Sequence, residues 1–146
     1  MLRITRETDY AILLLSAMVP DPERTVSTAW LAQKAQLSRP MVSKVLKHLV
    51  RGELVSSQRG AQGGYQLNRS ADDISVADII RAIEGPIALA ECVNIPNKQP
   101  CPRLPHCHVA GHWQLISRAI EDTLGNISLS AMNQPVHAHF PQRQQG

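Results

Sequence analysis

The chain has 146 residues, of which 43% are hydrophobic, and its formal net charge at pH 7 is +3. This length is enough for one small domain with a core of its own. No apolar run reaches the roughly 18 residues of a membrane-spanning helix, so the composition excludes a membrane-spanning protein. Glu7 and Asp9 interrupt the basic start that a secretion signal would need. We therefore expect a mature N-terminus and a cytosolic protein.

A first helix is predicted from Asp9 to Val19. Thr8 can cap its N-terminus, Asp9 complements the positive end of the helix dipole, and Pro20 ends it. Because its side chains are apolar on nearly every side, we expect this helix to be buried.

Residues 25–55 predict two helices around a tight turn. Ser27 caps the first and Ser38 the second, with Pro40 at a helix start and Gly52 at the stop. The side chains expected to face the core are Leu31, Ala32, Ala35, Met41, Val42, Val45, Leu46 and Leu49. Those expected to point outward are Arg39, Ser43, Lys44 and Lys47. This is the order of a helix-turn-helix, although other small helical proteins can show the same spacing.

The next segment, residues 54–70, predicts a β-hairpin with the glycine-containing tip "RGAQGG". A hairpin directly after a recognition helix is a wing, whose Arg59 can enter a minor groove; the alternative is a surface hairpin with Arg59 in solvent. Residues 1–70 contain ten Lys or Arg against five Asp or Glu, whereas residues 71–146 contain five against seven. The basic half favours a polyanion as partner.

A helix is predicted over residues 76–84, with a capping pattern from Ser75 to Asp78 and an end at Gly85. Farther on, apolar residues recur every three or four positions on a long helix: Trp113, Ile116, Ile120, Leu124 and Ile127. Such a stripe is often part of a core. Beside a helix-turn-helix it favours a homodimer, because two-fold operators match two-fold proteins.

All three cysteines lie in "ECVNIPNKQPCPRLPHCH", residues 91–108. An odd number of thiols in one loop argues against a disulfide framework and suits a soft metal or a cluster. Zinc bound by the cysteines with His106, His108 or His112 is also reasonable, although the spacing matches no common zinc finger. A thiol switch that forms a disulfide is a third alternative. From the residues of the loop alone, a cluster and a zinc ion are about equally favoured as the ligand of the three cysteines.

Several stretches together resemble the Rrf-two family of bacterial transcription regulators. They are "RITRETDYAILLL", the helix-turn-helix, and "RGAQGGYQL" followed by "SVADIIRAIEG". The resemblance covers about residues 1–132, and the start is most similar to proteobacterial regulators of the SUF iron-sulfur assembly operon. It implies a DNA-binding repressor of iron-sulfur assembly genes. We expect a mostly α fold with a small β-hairpin wing: a winged helix-turn-helix plus a long C-terminal dimerisation helix.

We accordingly divide the chain into four parts. They are a winged helix-turn-helix domain (1–85), a cysteine-rich cluster-binding loop (86–108), a dimerisation helix region (109–132) and a disordered tail (133–146). The resemblance implies that Cys92, Cys101 and Cys107 hold an iron-sulfur cluster, with 2Fe-2S favoured over 4Fe-4S.

The fourth ligand is where this chain departs from its relatives. IscR-like members have a histidine three residues after the third cysteine, a position occupied here by Ala110. NsrR-like members use an aspartate from the partner subunit, and the matching residue is Asp9. Asp9 is therefore the first candidate, before His108 and His106, with Glu7 more remote. The alternative for Asp9 is a carboxylate that only complements the helix dipole.

The helix-turn-helix and the wing supply the candidate DNA contacts. They are Ser27, Thr28, Ser38, Arg39, Pro40, Met41, Ser43, Lys44, Lys47, Arg59 and Gly63. Of these, the base-facing candidates are Arg39, Met41, Ser43 and Lys44. Lys47 is expected on the DNA backbone, and Arg59 is expected to read minor-groove shape. Ser43 stands where IscR has an acidic residue for base readout, so the operator need not be the same.

Other functions fit parts of the pattern. They are a thiol- or nitric-oxide-responsive regulator of the same fold, a zinc-stabilised DNA-binding protein, and a cluster carrier whose helix-turn-helix binds protein. The outward lysine face argues against the carrier. An enzyme is not expected, because the sequence has no glycine-rich phosphate loop and no nucleophile at a recognisable spacing from a base.

Overall fold

The computed structural model describes residues 3–90, 92–93 and 101–135. Its helices are α1 (Arg6–Met18), α2 (Thr28–Ala35), α3 (Arg39–Arg51), α4 (Val76–Glu84), α5 (Ala110–Gly125) and α6 (Leu129–Met132). The strands β1 (Val55–Gln58) and β2 (Gly64–Leu67) form an antiparallel hairpin. A short 3-10 helix covers Leu104–His106. None of the described helices has the length and apolar character needed to cross a membrane.

The helix-turn-helix has the predicted caps. The Ser27 hydroxyl accepts a hydrogen bond from the Trp30 N–H, and the Ser38 hydroxyl accepts one from the Met41 N–H. Each bond satisfies a backbone donor that the helix start leaves free. Gln36 adopts a left-handed conformation, with φ of 55°, and this turns the chain from α2 into α3.

The predicted start of α1 was wrong. The helix begins at Arg6, with Thr5 as its N-cap, and Thr8 is a fully buried residue inside it. The reason is a tertiary contact: a carboxylate oxygen of Glu84 accepts hydrogen bonds from the Thr5 N–H and from the Thr5 and Thr8 hydroxyls. The last residue of α4 thus stabilises an additional turn that local sequence signals do not predict. The helix is also less buried than expected, since Leu13 is 46% exposed.

The wing is attached to the domain by a third extended segment. Val26 exchanges two backbone hydrogen bonds of 2.8 Å with Tyr65. The backbone of Val26 can come this close to β2 only because residue 64 is glycine: a Cβ there would lie 2.4 Å from the Val26 carbonyl oxygen. At the tip, Gly60 has φ of 112°, which side chains other than glycine rarely adopt.

One hydrophobic core joins the helix-turn-helix, the base of the wing and α4. Its fully buried members include Leu14, Leu15, Leu31, Val42, Val45, Leu46, Leu49, Leu54, Ile74 and Ile79. The inward face predicted for α2 and α3 is confirmed, except that Ala35 and Met41 are only partly buried.

The predicted capping box of α4 is confirmed, since Ser75 and Asp78 exchange hydrogen bonds of 3.1 and 3.0 Å. Arg81 of α4 donates to Glu121 of α5 through Nε at 2.8 Å and Nη2 at 2.6 Å. It also pairs with Asp78 at 3.0 Å. The two hydrogen bonds from Arg81 to one carboxylate oxygen of Glu121 position α5 on α4, next to the cysteine segment (residues 86–108).

The C-terminal helix is shorter than predicted. α5 ends at Gly125, so Ile127 is not on its surface. The chain then pairs with the start of α4: the Val76 N–H donates to the Ile127 carbonyl at 2.9 Å, and the Leu129 N–H to the Ile74 carbonyl at 2.7 Å. Ser128 caps α6, and the side chain of Leu129 is fully buried in the core. The chain after α5 therefore returns to the core through Leu129, whereas Ile127, the last residue of the predicted stripe, is only partly buried.

Candidate DNA-binding surface and cysteine segment

The residues predicted to contact DNA are all accessible, at least in part. Those that are exposed are Ser27, Ser38, Arg39, Pro40, Ser43, Lys44, Lys47 and Arg59; Thr28, Met41 and Gly63 are half-buried. We call this set the DNA-facing surface. It includes four cationic side chains and the N-termini of α2 and α3, whose backbone N–H groups favour anions.

The side chain of Met41 lies between the hydrophobic core and the DNA-facing surface. It was predicted both to face the core and to face bases, and its side chain packs against the core while remaining partly accessible. Only the accessible part of this side chain is free to touch a ligand.

Lys44 of α3 forms an ion pair with α1. Its Nζ lies 2.5 Å from Oε1 of Glu7, and the two side chains are 55% and 32% exposed. Sequence reasoning treated Lys44 as a free cation and Glu7 as a remote candidate for a metal ligand. Since 37 residues separate the pair, no local spacing could have revealed it.

Arg24 is a second feature that sequence reasoning missed. Its guanidinium lies 5.2 Å from the centre of the Trp30 ring, a cation-π contact at the start of α2. Arg24 is exposed. It therefore adds positive charge to the end of the domain that contains Ser27.

The three cysteines are half-buried and none is in a disulfide. Cys101 and Cys107 lie at the two ends of the 3-10 turn: the Leu104 N–H donates to the Cys101 carbonyl, and the Cys107 N–H donates to the Leu104 carbonyl. On the other side of the segment, the Leu89 N–H donates to the hydroxyl of Ser117, which is 2% exposed. The chain before Cys92 is therefore anchored to α5, and the chain after Cys107 leads directly into that helix.

The candidate ligands do not form a closed site within one chain. Among residues 3–90, 92–93 and 101–135, no three His, Cys, Asp or Glu side chains are grouped to hold a metal ion. Asp9, His106 and His108 are exposed, whereas Ala110 is buried. Much of the loop, residues 94–100, lies outside the described residues. The tail predicted over 133–146 also lies outside them from residue 136 onward.

The electrostatics of the α1–α4 contact are set by Glu84. Burial alone would raise the pKa of its carboxyl group, but the hydrogen bonds from Thr8 and Thr5 outweigh burial and hold the pKa below its ordinary value. The ionised Glu84 carboxylate thus stabilises the folded protein at pH values above the ordinary carboxyl pKa. This stabilisation is lost as pH falls through the lowered pKa.

An apolar face of α5, formed by Trp113 and Ile116, is accessible to solvent. Trp113, Leu115 and Ile116 are 40%, 64% and 43% exposed, and only Ala110 and Ser117 of this helix are buried. Leu115 was not part of the predicted stripe, because it lies on another side of the helix. Large apolar side chains grouped on a surface commonly mark a contact with another molecule.

Comparison with known proteins agrees with this architecture. A family model described as "Rrf2: Iron-dependent Transcriptional regulator" matches residues 4–135. The HTH-type transcriptional regulator IscR of Xenorhabdus nematophila is 30% identical over 132 residues, covering 90% of this chain and 79% of that protein.

Two solved structures share the fold. CymR (YrzC), described as the global cysteine regulator of B. subtilis, aligns with a TM-score of 0.68 and 29% identity, covering 91% of this chain and 97% of that one. T. potens IscR aligns with a TM-score of 0.65 and 29% identity, covering 90% and 85%. The predicted winged helix-turn-helix is confirmed, and the chain belongs to the Rrf2 family of DNA-binding transcriptional regulators.

Proposed function

We propose that this protein is a homodimeric repressor of iron-sulfur assembly genes whose DNA binding depends on an iron-sulfur cluster. Cys92, Cys101 and Cys107 hold the cluster. The observation that carries the proposal is the set of free, half-buried thiols on a segment that is hydrogen-bonded to α5 before Cys92 and runs into α5 after Cys107. The description of the family model as iron-dependent supports it.

The donor set suits iron-sulfur chemistry. Thiolates are the usual ligands of such clusters, and a single remaining position can be filled by a carboxylate or an imidazole. Asp9 is the first candidate for that position. Its exposure on the first turn of α1 leaves it accessible to a second copy of the chain.

Two structural connections support coupling between the cysteine segment and DNA. The segment follows α4, and the last residue of α4, Glu84, fixes the first turn of α1. That turn contacts the recognition helix α3 through Glu7 and Lys44. In the proposed dimer, the exposed face of α5 packs against the partner, so that loss of the cluster changes the spacing of the two recognition helices.

A thiol-responsive regulator is the second candidate. The structural similarity to CymR, a cysteine regulator, favours it. In that case a disulfide among the three cysteines, formed by an external oxidant, would replace the cluster as the signal. Zinc at the same thiols would make the segment a structural site. All three alternatives keep the DNA-facing surface and differ in what the cysteines bind.

The cofactor is tested by purifying the protein without oxygen. We expect visible absorption, with iron and sulfide in matching amounts, and loss of both on Cys92→Ser, Cys101→Ser or Cys107→Ser, because each substitution removes one thiolate ligand. Asp122→Ala, at an exposed position of α5, serves as a control that removes neither a thiol nor a contact of the segment. A colourless wild-type protein that binds zinc, or that binds no metal after reconstitution, would rule out the cluster.

The fourth ligand is tested with Asp9→Ala. Loss of a ligand should shift the visible absorption of the cluster or shorten its lifetime in air, since the remaining position would be open to solvent. Asp122→Ala, which removes an exposed carboxylate from α5, should change neither quantity. An Asp9→Ala protein with the wild-type spectrum and lifetime would exclude Asp9 and direct the search to His108 and His106.

The wing is tested with Arg59→Ala on a duplex selected from a randomised DNA pool by the wild-type protein. We expect weaker binding, with the slope of log affinity against log salt reduced by about 0.9 if one phosphate contact is lost. Arg118→Ala, an exposed arginine on α5, is the matched control. Unchanged affinity and slope for Arg59→Ala would mean that the wing does not touch DNA.

A further inference from the structure

The ion pair between Glu7 and Lys44 lies on the DNA-facing surface. Lys44 is on the recognition helix, one turn after Pro40, and more than half of its side chain is exposed. The Nζ atom that would approach a phosphate or a base lies 2.5 Å from a carboxylate oxygen of α1. In the free protein, the positive charge of Lys44 is therefore already paired.

The position of Glu7 is fixed independently of Lys44. Thr5 caps α1, and Glu84 binds both Thr5 and Thr8, on either side of Glu7 in the sequence. The first turn of a helix also favours a negative side chain through the helix dipole. The backbone that carries Glu7 thus stays next to α3 even when Lys44 turns away.

The pair distinguishes Lys44 from the other cations of the DNA-facing surface. Arg39, Lys47 and Arg59 form no ion pair with any residue that the structure describes. DNA binding at these positions only displaces counterions. At Lys44, a phosphate must compete with a neighbouring carboxylate that it also repels.

We propose that Glu7 limits the affinity of the protein for DNA by competing with DNA for Lys44. This role rests on the proposed function, because it requires α3 to meet DNA. Glu7 is a positioning residue in this account: it acts through Lys44 and makes no contact with DNA. The competition keeps non-specific binding weak, since an exposed pair is broken only where the complex offers Lys44 a better partner.

The test measures binding of full-length wild type and Glu7→Gln to two duplexes, one of arbitrary mixed sequence and one selected from a randomised pool by the wild-type protein. We expect Glu7→Gln to bind the mixed-sequence duplex about twofold to tenfold more tightly. The reason is that the substitution removes an exposed ion pair that DNA must break and a negative charge that repels the phosphates. The salt slope should steepen by about 0.9, since Lys44 becomes free to neutralise one more phosphate.

Two control proteins isolate the effect. Asp122→Asn removes one negative charge at an exposed site on α5 and should leave both quantities near those of the wild type. In a Lys44→Ala background, Glu7→Gln should have little effect, because its partner is absent. Thermal melting and iron content are measured for each variant, and affinities are compared at equal iron content, because Glu7 is close in sequence to Asp9.

Unchanged affinity and slope for a folded Glu7→Gln protein would overturn the proposal. So would an equal gain in the Lys44→Ala background, which would show that the carboxylate acts by charge alone and not through Lys44. In both cases wild-type binding would leave the proposed function intact. A wild-type protein that enriches no sequence from the randomised pool and does not bind the mixed-sequence duplex, with or without iron, would overturn both proposals together.

Discussion

The carboxylate of Glu84 joins the end of α4 to the first turn of α1. It ends α4, accepts three hydrogen bonds from Thr5 and Thr8, and thereby fixes the first turn of α1. That turn also contains Asp9, the candidate cluster ligand, and Glu7, the partner of Lys44. The cysteine segment follows α4 in the chain, and we propose that a displacement of this segment acts on the same carboxylate. Loss of this contact would release both functional side chains of α1 from their positions.

A second constraint comes from α5. Its two hydrogen bonds from Arg81 and the hydrogen bond from Leu89 to Ser117 hold the cysteine segment against the winged-helix domain. After α5 the chain returns to the core, where Leu129 is fully buried. The helix is thus tied to the domain on one side and presents Leu115 on another. Such a helix can transmit a change in the cysteine segment to a partner subunit without unfolding the core.

The sequence predicted the features that depend on local chemistry. Ser27, Ser38 and Ser75 cap helices because their hydroxyls satisfy nearby backbone donors, and glycines mark the wing. The sequence-based predictions were wrong where contacts between distant residues determine the bounds of a helix. Glu84 determines where α1 begins, and the pairing of residues 127–129 with the start of α4 ends the C-terminal helix early. The partner of Lys44 was missed for the same reason. The three clustered cysteines indicate a soft metal or a cluster, but they do not decide between cluster and zinc, and the fourth ligand depends on contacts that no spacing encodes.

We propose that the cysteine segment controls DNA binding. The most direct measurement is the affinity of one anaerobic preparation of wild-type protein for a selected duplex, at fixed salt, before and after its iron is removed by a chelator. We expect the affinity to change at least about fivefold, the lower range of allosteric coupling between two sites, and we expect no change for a Cys92→Ser protein treated in the same way. Equal affinities of the iron-loaded and iron-free wild-type protein would contradict this proposal.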